Sequence, residues 1–176
     1  MDKKIAGVVL AGGKSSRMGQ NKALLDYNGS PLLDHMIGLL EQARLTDIYV
    51  SGDLEGYACI PDSAPDQGPA QAIVGVLKHL DNYDGVLFVP VDMPRLTPEI
   101  LSALLSQPQS THYATHPLPF YIMQKEEKEN VTGGKERSVK ALLESLAVVS
   151  ADLPPEFEPC MTNTNTPEEW KEACSA

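Results

Sequence analysis

Residues 5–25 read IAGVVLAGGKSSRMGQNKALL: an unbroken apolar run, a pair of adjacent glycines, then a polar segment carrying Lys14, Arg17 and Lys22. A strand that is apolar without alternation is buried on both faces and needs covering layers on each side. Helical patterns supply them, because the chain goes on to alternate: SPLLDHMIGLLEQA, TDIYVS, ACIP, PAQAIVGVLKHL, GVLFVPVD and TPEILSALLS follow in turn as helix, strand, strand, helix, strand and helix. That order predicts an α/β, three-layer domain around a mainly parallel sheet. With 176 residues, 42% of them hydrophobic, and no linker-like stretch, residues 1–176 read as a single domain.

Local signals refine the picture. Leu32, Leu33, Met36, Leu39 and Leu40 recur at helical spacing and are candidate core residues. Thr97 followed by Pro98 and Glu99 marks a helix start, and Thr166-Pro167-Glu168 repeats it near the carboxyl end. Trp170 is expected to anchor that last helix by packing. SVKALLESL is amphipathic and helical, whereas residues 124–137, QKEEKENVTGGKER, read as a solvated loop, with a lid over a ligand as the other possibility.

The chain carries a formal net charge of −10, which argues against nonspecific nucleic-acid binding. The charge is uneven, however: within residues 1–22, Lys3, Lys4, Lys14, Arg17 and Lys22 face Asp2 alone. Cys59, Cys160 and Cys174 are odd in number and lack metal-site spacing, so they predict free thiols. No signal-peptide pattern opens the sequence and no apolar run reaches membrane-spanning length, so a soluble cytoplasmic protein is expected.

In open α/β sheets, ligands collect at the carboxyl ends of parallel strands, and a glycine turn there can aim backbone N–H groups at phosphate oxygens. Gly12-Gly13 stands at such an end. A glycine pair alone can also be an ordinary strand-to-helix turn; three cations close by favour an anion receptor. It is not a Walker A loop, which would need glycine where Val8 stands, and no G-x-G-x-x-G occurs in it. Asp92 follows the apolar run GVLFVPV and so falls at a strand's carboxyl end, where it can hold magnesium or cap the Met93-Pro94 turn. Asp62 alone is an ordinary loop aspartate. His112 and His116 lack the H-E-x-x-H arrangement, and Pro117 disfavours a helix there. His35 and His79 lie within helical patterns and need no special function.

The pattern L-A-G-G-x-S-x-R-M-G-x-x-K over residues 10–22, with VPVDMPRL and NTNTPEEW further on, resembles the nucleotidyltransferase superfamily, and within it the molybdenum cofactor guanylyltransferases. The resemblance implies a Rossmann-like nucleotidyltransferase fold. It also implies Mg2+-dependent transfer of GMP from GTP to the phosphate of molybdopterin, with pyrophosphate released and proteins delivering the pterin. Carried over residue by residue, it makes Arg17, Lys22 and Asp92 catalytic and Asp92 the metal ligand. It assigns Leu10, Ala11, Gly12, Gly13, Lys22, Ser51, Asp62 and Asp92 to the nucleotide, and Asn163 and Asn165 to the acceptor. The chain departs from the family at Asn21, where Asp is usual, at Ser51, where Asn is frequent, and at Gly68-Pro69-Ala70-Gln71-Ala72, where G-P-L-A-G is common. Cytidylyl transfer to the same pterin or another small phosphate, and a non-catalytic nucleotide-binding regulator or carrier, therefore stay open.

Overall fold

The first apolar run is strand β1, Ile5–Leu10, and the computed structural model describes it together with the rest of residues 3–12, 21–62, 67–124 and 136–175. A small hairpin of β2, Asp26–Tyr27, and β3, Ser30–Pro31, leads into α1, Leu32–Gln42. Then come β4, Asp47–Ser51, β5, Cys59–Ile60, α2, Pro69–His79, β6, Gly85–Pro90, and α3, Pro98–Leu105. Next, β7, Thr111–Tyr113, pairs antiparallel with β8, His116–Met123. The chain finishes with α4, Val139–Ser145, β9, Val149–Ala151, a 3-10 segment Pro155–Met161, and α5, Pro167–Cys174.

One sheet of seven strands in the order β5-β4-β1-β6-β8-β7-β9 organises the fold. β5, β4, β1 and β6 run parallel, β8 is antiparallel to both its neighbours, and β7 and β9 are parallel to each other. Six strands thus share one direction and β8 is the exception, so the sheet is mainly parallel as expected. Residues adjacent along a strand point to opposite faces, and this sorts the core into two. Val9, Leu87 and Val89 pack with Leu33, Met36, Leu40, Ile100 and Leu101 under α1 and α3. Val8, Val86 and Phe88 pack with Ile73, Leu77, Leu142 and Leu143 under α2 and α4. Every residue of β6 is buried, the signature read in its unbroken apolar sequence. The five leucine and methionine positions proposed for α1 are all buried.

Two local expectations need amendment. Thr97 occupies the N-cap of α3, but its side chain makes no capping hydrogen bond. Gln124 is buried, not solvated, and its Nε2 donates to the Leu80 carbonyl at 2.6 Å; the lid reading of residues 124–137 falls mostly outside the described residues. Trp170 anchors α5 as expected, edge-on to Tyr27 at 5.9 Å between ring centroids. His112 and His116 face backbone carbonyls and Glu158 respectively. Among the described residues, no helix is long and apolar enough to cross a membrane.

Candidate active site

β1 has β4 on one side and β6 on the other, reached through α1 and α2 in opposite directions, so the strand order reverses at β1 and β6. Such a switch point leaves a crevice at the strands' carboxyl ends. Leu10, Ala11 and Gly12 emerge there from β1, Ser51 and Gly52 from β4, and Val91 and Asp92 from β6. The Ala11 N–H donates to the Ser51 carbonyl at 3.3 Å, and the Val91 N–H donates to the Leu10 carbonyl at 3.2 Å. Gly52, at φ +146°, brings the place of a Cβ within 3.6 Å of the Gly12 nitrogen, so two backbones lie side by side where side chains would stand. Ser51 is buried. Asp62 is exposed just beyond β5, two strand spacings or about 10 Å across the sheet from β1. Gly13 and Arg17 lie outside the described residues.

Lys22 reaches the crevice from a 3-10 turn, Lys22–Leu24, whose N-cap is Asn21. The Asn21 Oδ1 accepts from the Ala23 N–H at 3.1 Å. Asn caps as well as Asp, so the departure at residue 21 leaves the turn that presents Lys22 intact. The Lys22 ammonium lies 3.8 Å from the Asp92 carboxylate, with the side chains 17% and 24% exposed, and donates to Asn165 Oδ1 at 2.8 Å. Thus residues 22, 92 and 165, singled out in three separate motifs, converge at one point. Asn163, also assigned to the acceptor, is exposed on the same segment.

Thr164 fastens that segment: its N–H and its hydroxyl both donate to the Asp92 carbonyl, at 2.8 and 3.2 Å, and it is buried. Neither Thr164 nor Glu169, which receives the Asn165 N–H, stood out in the sequence reading. The bond of Glu169 to the Thr166 N–H was legible as the T-x-x-E of a capping box beginning at Thr166, whereas the one to the Asn165 N–H was not.

Burial raises the Asp92 carboxyl above its ordinary range, while the Lys22 ammonium and the residue's own N–H act in the opposite sense. A carboxylate that is partly desolvated and has one ammonium at 3.8 Å gains from a further cation. Together with phosphate oxygens and water it provides the hard-oxygen set that magnesium takes. The residues present therefore fit a divalent ion.

Lys22, Asp92 and the closely approaching backbones of Gly12 and Gly52 are thus gathered at the switch point of a mainly parallel sheet, the place where open α/β proteins take their ligands. The model of the MobA-like NTP transferase domain matches residues 7–147, and the chain belongs to that family of nucleotidyltransferases. A molybdenum cofactor guanylyltransferase of Xanthomonas euvesicatoria pv. vesicatoria (strain 85-10) is 40% identical, with 93% of this chain and 91% of that protein covered. Among solved structures, the molybdopterin-guanine dinucleotide biosynthesis protein A of Archaeoglobus fulgidus superposes with a TM-score of 0.69 at 21% identity, over 97% of each chain. A nucleotidyl transferase of Methanothermobacter thermautotroptrophicus gives 0.72 at 16%, over 98% of this chain and 96% of that one. These two likenesses bear on the fold.

Proposed function

We propose that the chain transfers GMP from GTP to the terminal phosphate of molybdopterin, giving the guanine dinucleotide form of the cofactor and pyrophosphate. The observation that carries this reading is the 40% identity, over nearly the full length of both chains, to a molybdenum cofactor guanylyltransferase. The convergence of Lys22, Asp92 and Asn165 supports it.

A phosphate monoester has a second pKa of about 6 and is largely dianionic at neutral pH, so it attacks without a protein base. One of its oxygens bonds to the α-phosphorus of GTP as the bond from that phosphorus to the bridging oxygen breaks and pyrophosphate leaves. The obstacle is the mutual repulsion of two anions, and the protein's task is to hold and neutralise them. Ala11, Gly12, Gly13, Lys22 and Arg17 take the triphosphate. Asn163 and Asn165 take the acceptor on the side of the C-terminal segment, and Ser51 and Asp62 flank the nucleoside side. Members of this family typically depend on a divalent ion. Here Asp92 would hold Mg2+, which when bound supplies positive charge to the phosphate oxygens. Proteins that deliver the labile pterin are expected partners, the cytoplasm the expected compartment, and one domain the unit that acts.

The altered segment at residues 68–72 favours one competing assignment, cytidylyl transfer. Pyrophosphate release measured with GTP, CTP, ATP and UTP, each with molybdopterin and Mg2+, tests both. GTP is expected to lead, and turnover with CTP equal to it or greater would reject the guanine assignment. Nucleotide binding without pyrophosphate release under the same conditions would point to a carrier or regulator.

A further inference from the structure

Glu169 stands outside every residue so far given a part in the reaction, yet it holds the segment that meets Lys22. Its Oε2 accepts from the Asn165 N–H at 2.6 Å and from the Thr166 N–H at 2.9 Å. Thr166 Oγ1 in turn accepts from the Glu169 N–H at 3.2 Å, which completes the capping box of α5. A capping box needs only the N-cap amide; here the carboxylate also takes the amide one residue further back. That residue is Asn165, whose Oδ1 accepts from the Lys22 ammonium. On the preceding side, Thr164 donates twice to the Asp92 carbonyl. Asn165 is therefore fixed from both flanks, one on the strand-end turn and one on α5. With Oδ1 turned to Lys22, its amide NH2 is the end left for a substrate oxygen.

We propose that Glu169 is a positioning residue, setting the backbone at Asn165 so that this side chain holds the Lys22 ammonium beside Asp92. The inference rests on reading Lys22 as a group that takes the triphosphate and Asp92 as the one that would hold the divalent ion beside it. Its mechanism is geometric: a small misplacement of a phosphate-holding group far from the bond that breaks is costly in rate.

Helix capping and positioning separate experimentally. Thr166→Ala removes one half of the capping box and leaves both bonds to the carboxylate. Glu169→Ala removes the carboxylate, and Glu169→Gln keeps an acceptor oxygen at the same reach. Two readouts apply to the full chain: kcat/KM for GMP transfer, and the rate at which a limiting amine-acylating reagent modifies Lys22, followed by mass spectrometry without substrates. Glu169→Ala is expected to lower kcat/KM by on the order of tenfold or more and to speed Lys22 acylation severalfold. Glu169→Gln and Thr166→Ala should stay near the unmodified chain in both readouts, although both alanine variants lower Tm. Equal Lys22 acylation in Glu169→Ala and Thr166→Ala overturns the proposal whatever the kinetics. Should Glu169→Ala not fold by circular dichroism, Glu169→Asp, which shortens the reach, takes its place with the same expectations. If the unmodified chain shows no GMP transfer, it is the functional reading that fails, and Lys22 acylation alone still decides the positioning role.

Discussion

Asp92 and Lys22 each satisfy part of the other's charge, and each has a second attachment: Lys22 to Asn165, Asp92 through its carbonyl to Thr164. The Asp92 carboxylate is therefore not needed to hold its turn, since the backbone does that. Asp92→Asn keeps the shape and should fold normally, yet lower GMP transfer a hundredfold or more. That follows from several kcal/mol of lost charge stabilisation at about 1.4 kcal/mol per tenfold. A magnesium titration of transfer rates, with circular dichroism beside it, measures this, and near-normal rates would remove Asp92 from the metal site. Lys22→Ala should weaken GTP binding and turnover together, because a phosphate contact present in ground and transition states alike affects both; calorimetry and steady-state kinetics report the pair. These residues were legible in the sequence because each stands in a motif of unusual composition. Thr164 was not, since a threonine between two asparagines gives no sign that it will be buried with both its donors on one carbonyl.

At the scale of the element, α5 offers its own reporter, because Trp170 is the sole tryptophan and lies on it. The Asn165 and Thr166 N–H groups hold the Glu169 carboxyl below the ordinary glutamate value of 4.5. A carboxyl whose pKa is lowered in the folded state adds stability that is fully present above the unfolded value and is lost as pH falls through the folded one. Trp170 fluorescence should therefore change below pH 4.5, and Glu169→Gln should remove that portion of the acid transition. At the start of α2, Gly68 has φ +94°, and a Cβ there would lie 2.7 Å from the Arg137 carbonyl oxygen. Gly68→Ala is expected to cost more than about 1 kcal/mol, visible as a lower Tm. β1, β4, β6 and α1 to α3 could be read ahead because continuous apolar runs and helical spacing are strong signals. The β7–β8 hairpin could not: β7 has three residues, and Pro117 and Pro119 interrupt the pattern of β8. Its pairing is decided by contact with β6 and not by local preference.

For the molecule as a whole, the crevice joins segments from both halves of the chain, so a ligand bound there stabilises the entire fold. GTP with Mg2+ at a hundred times its Kd should add about 2.7 kcal/mol. For a domain of this size that raises Tm by roughly 5–10 °C in a thermal melt. The rise should shrink without Mg2+ and in Asp92→Asn. The hydrogen bond between Lys22 and Asn165 spans 143 positions, and that distance is also a delay. At about 5–20 residues per second, a ribosome takes roughly 7–30 s to make the second partner after the first. In the second half of that interval β1, β4, β6 and the helices between them have been made, with Lys22 and Asp92 both present and Asn165 still to be synthesised. The bond that ties Lys22 to the segment ahead of α5 is thus among the late contacts of the fold, made only after both members of the Lys22–Asp92 pair exist.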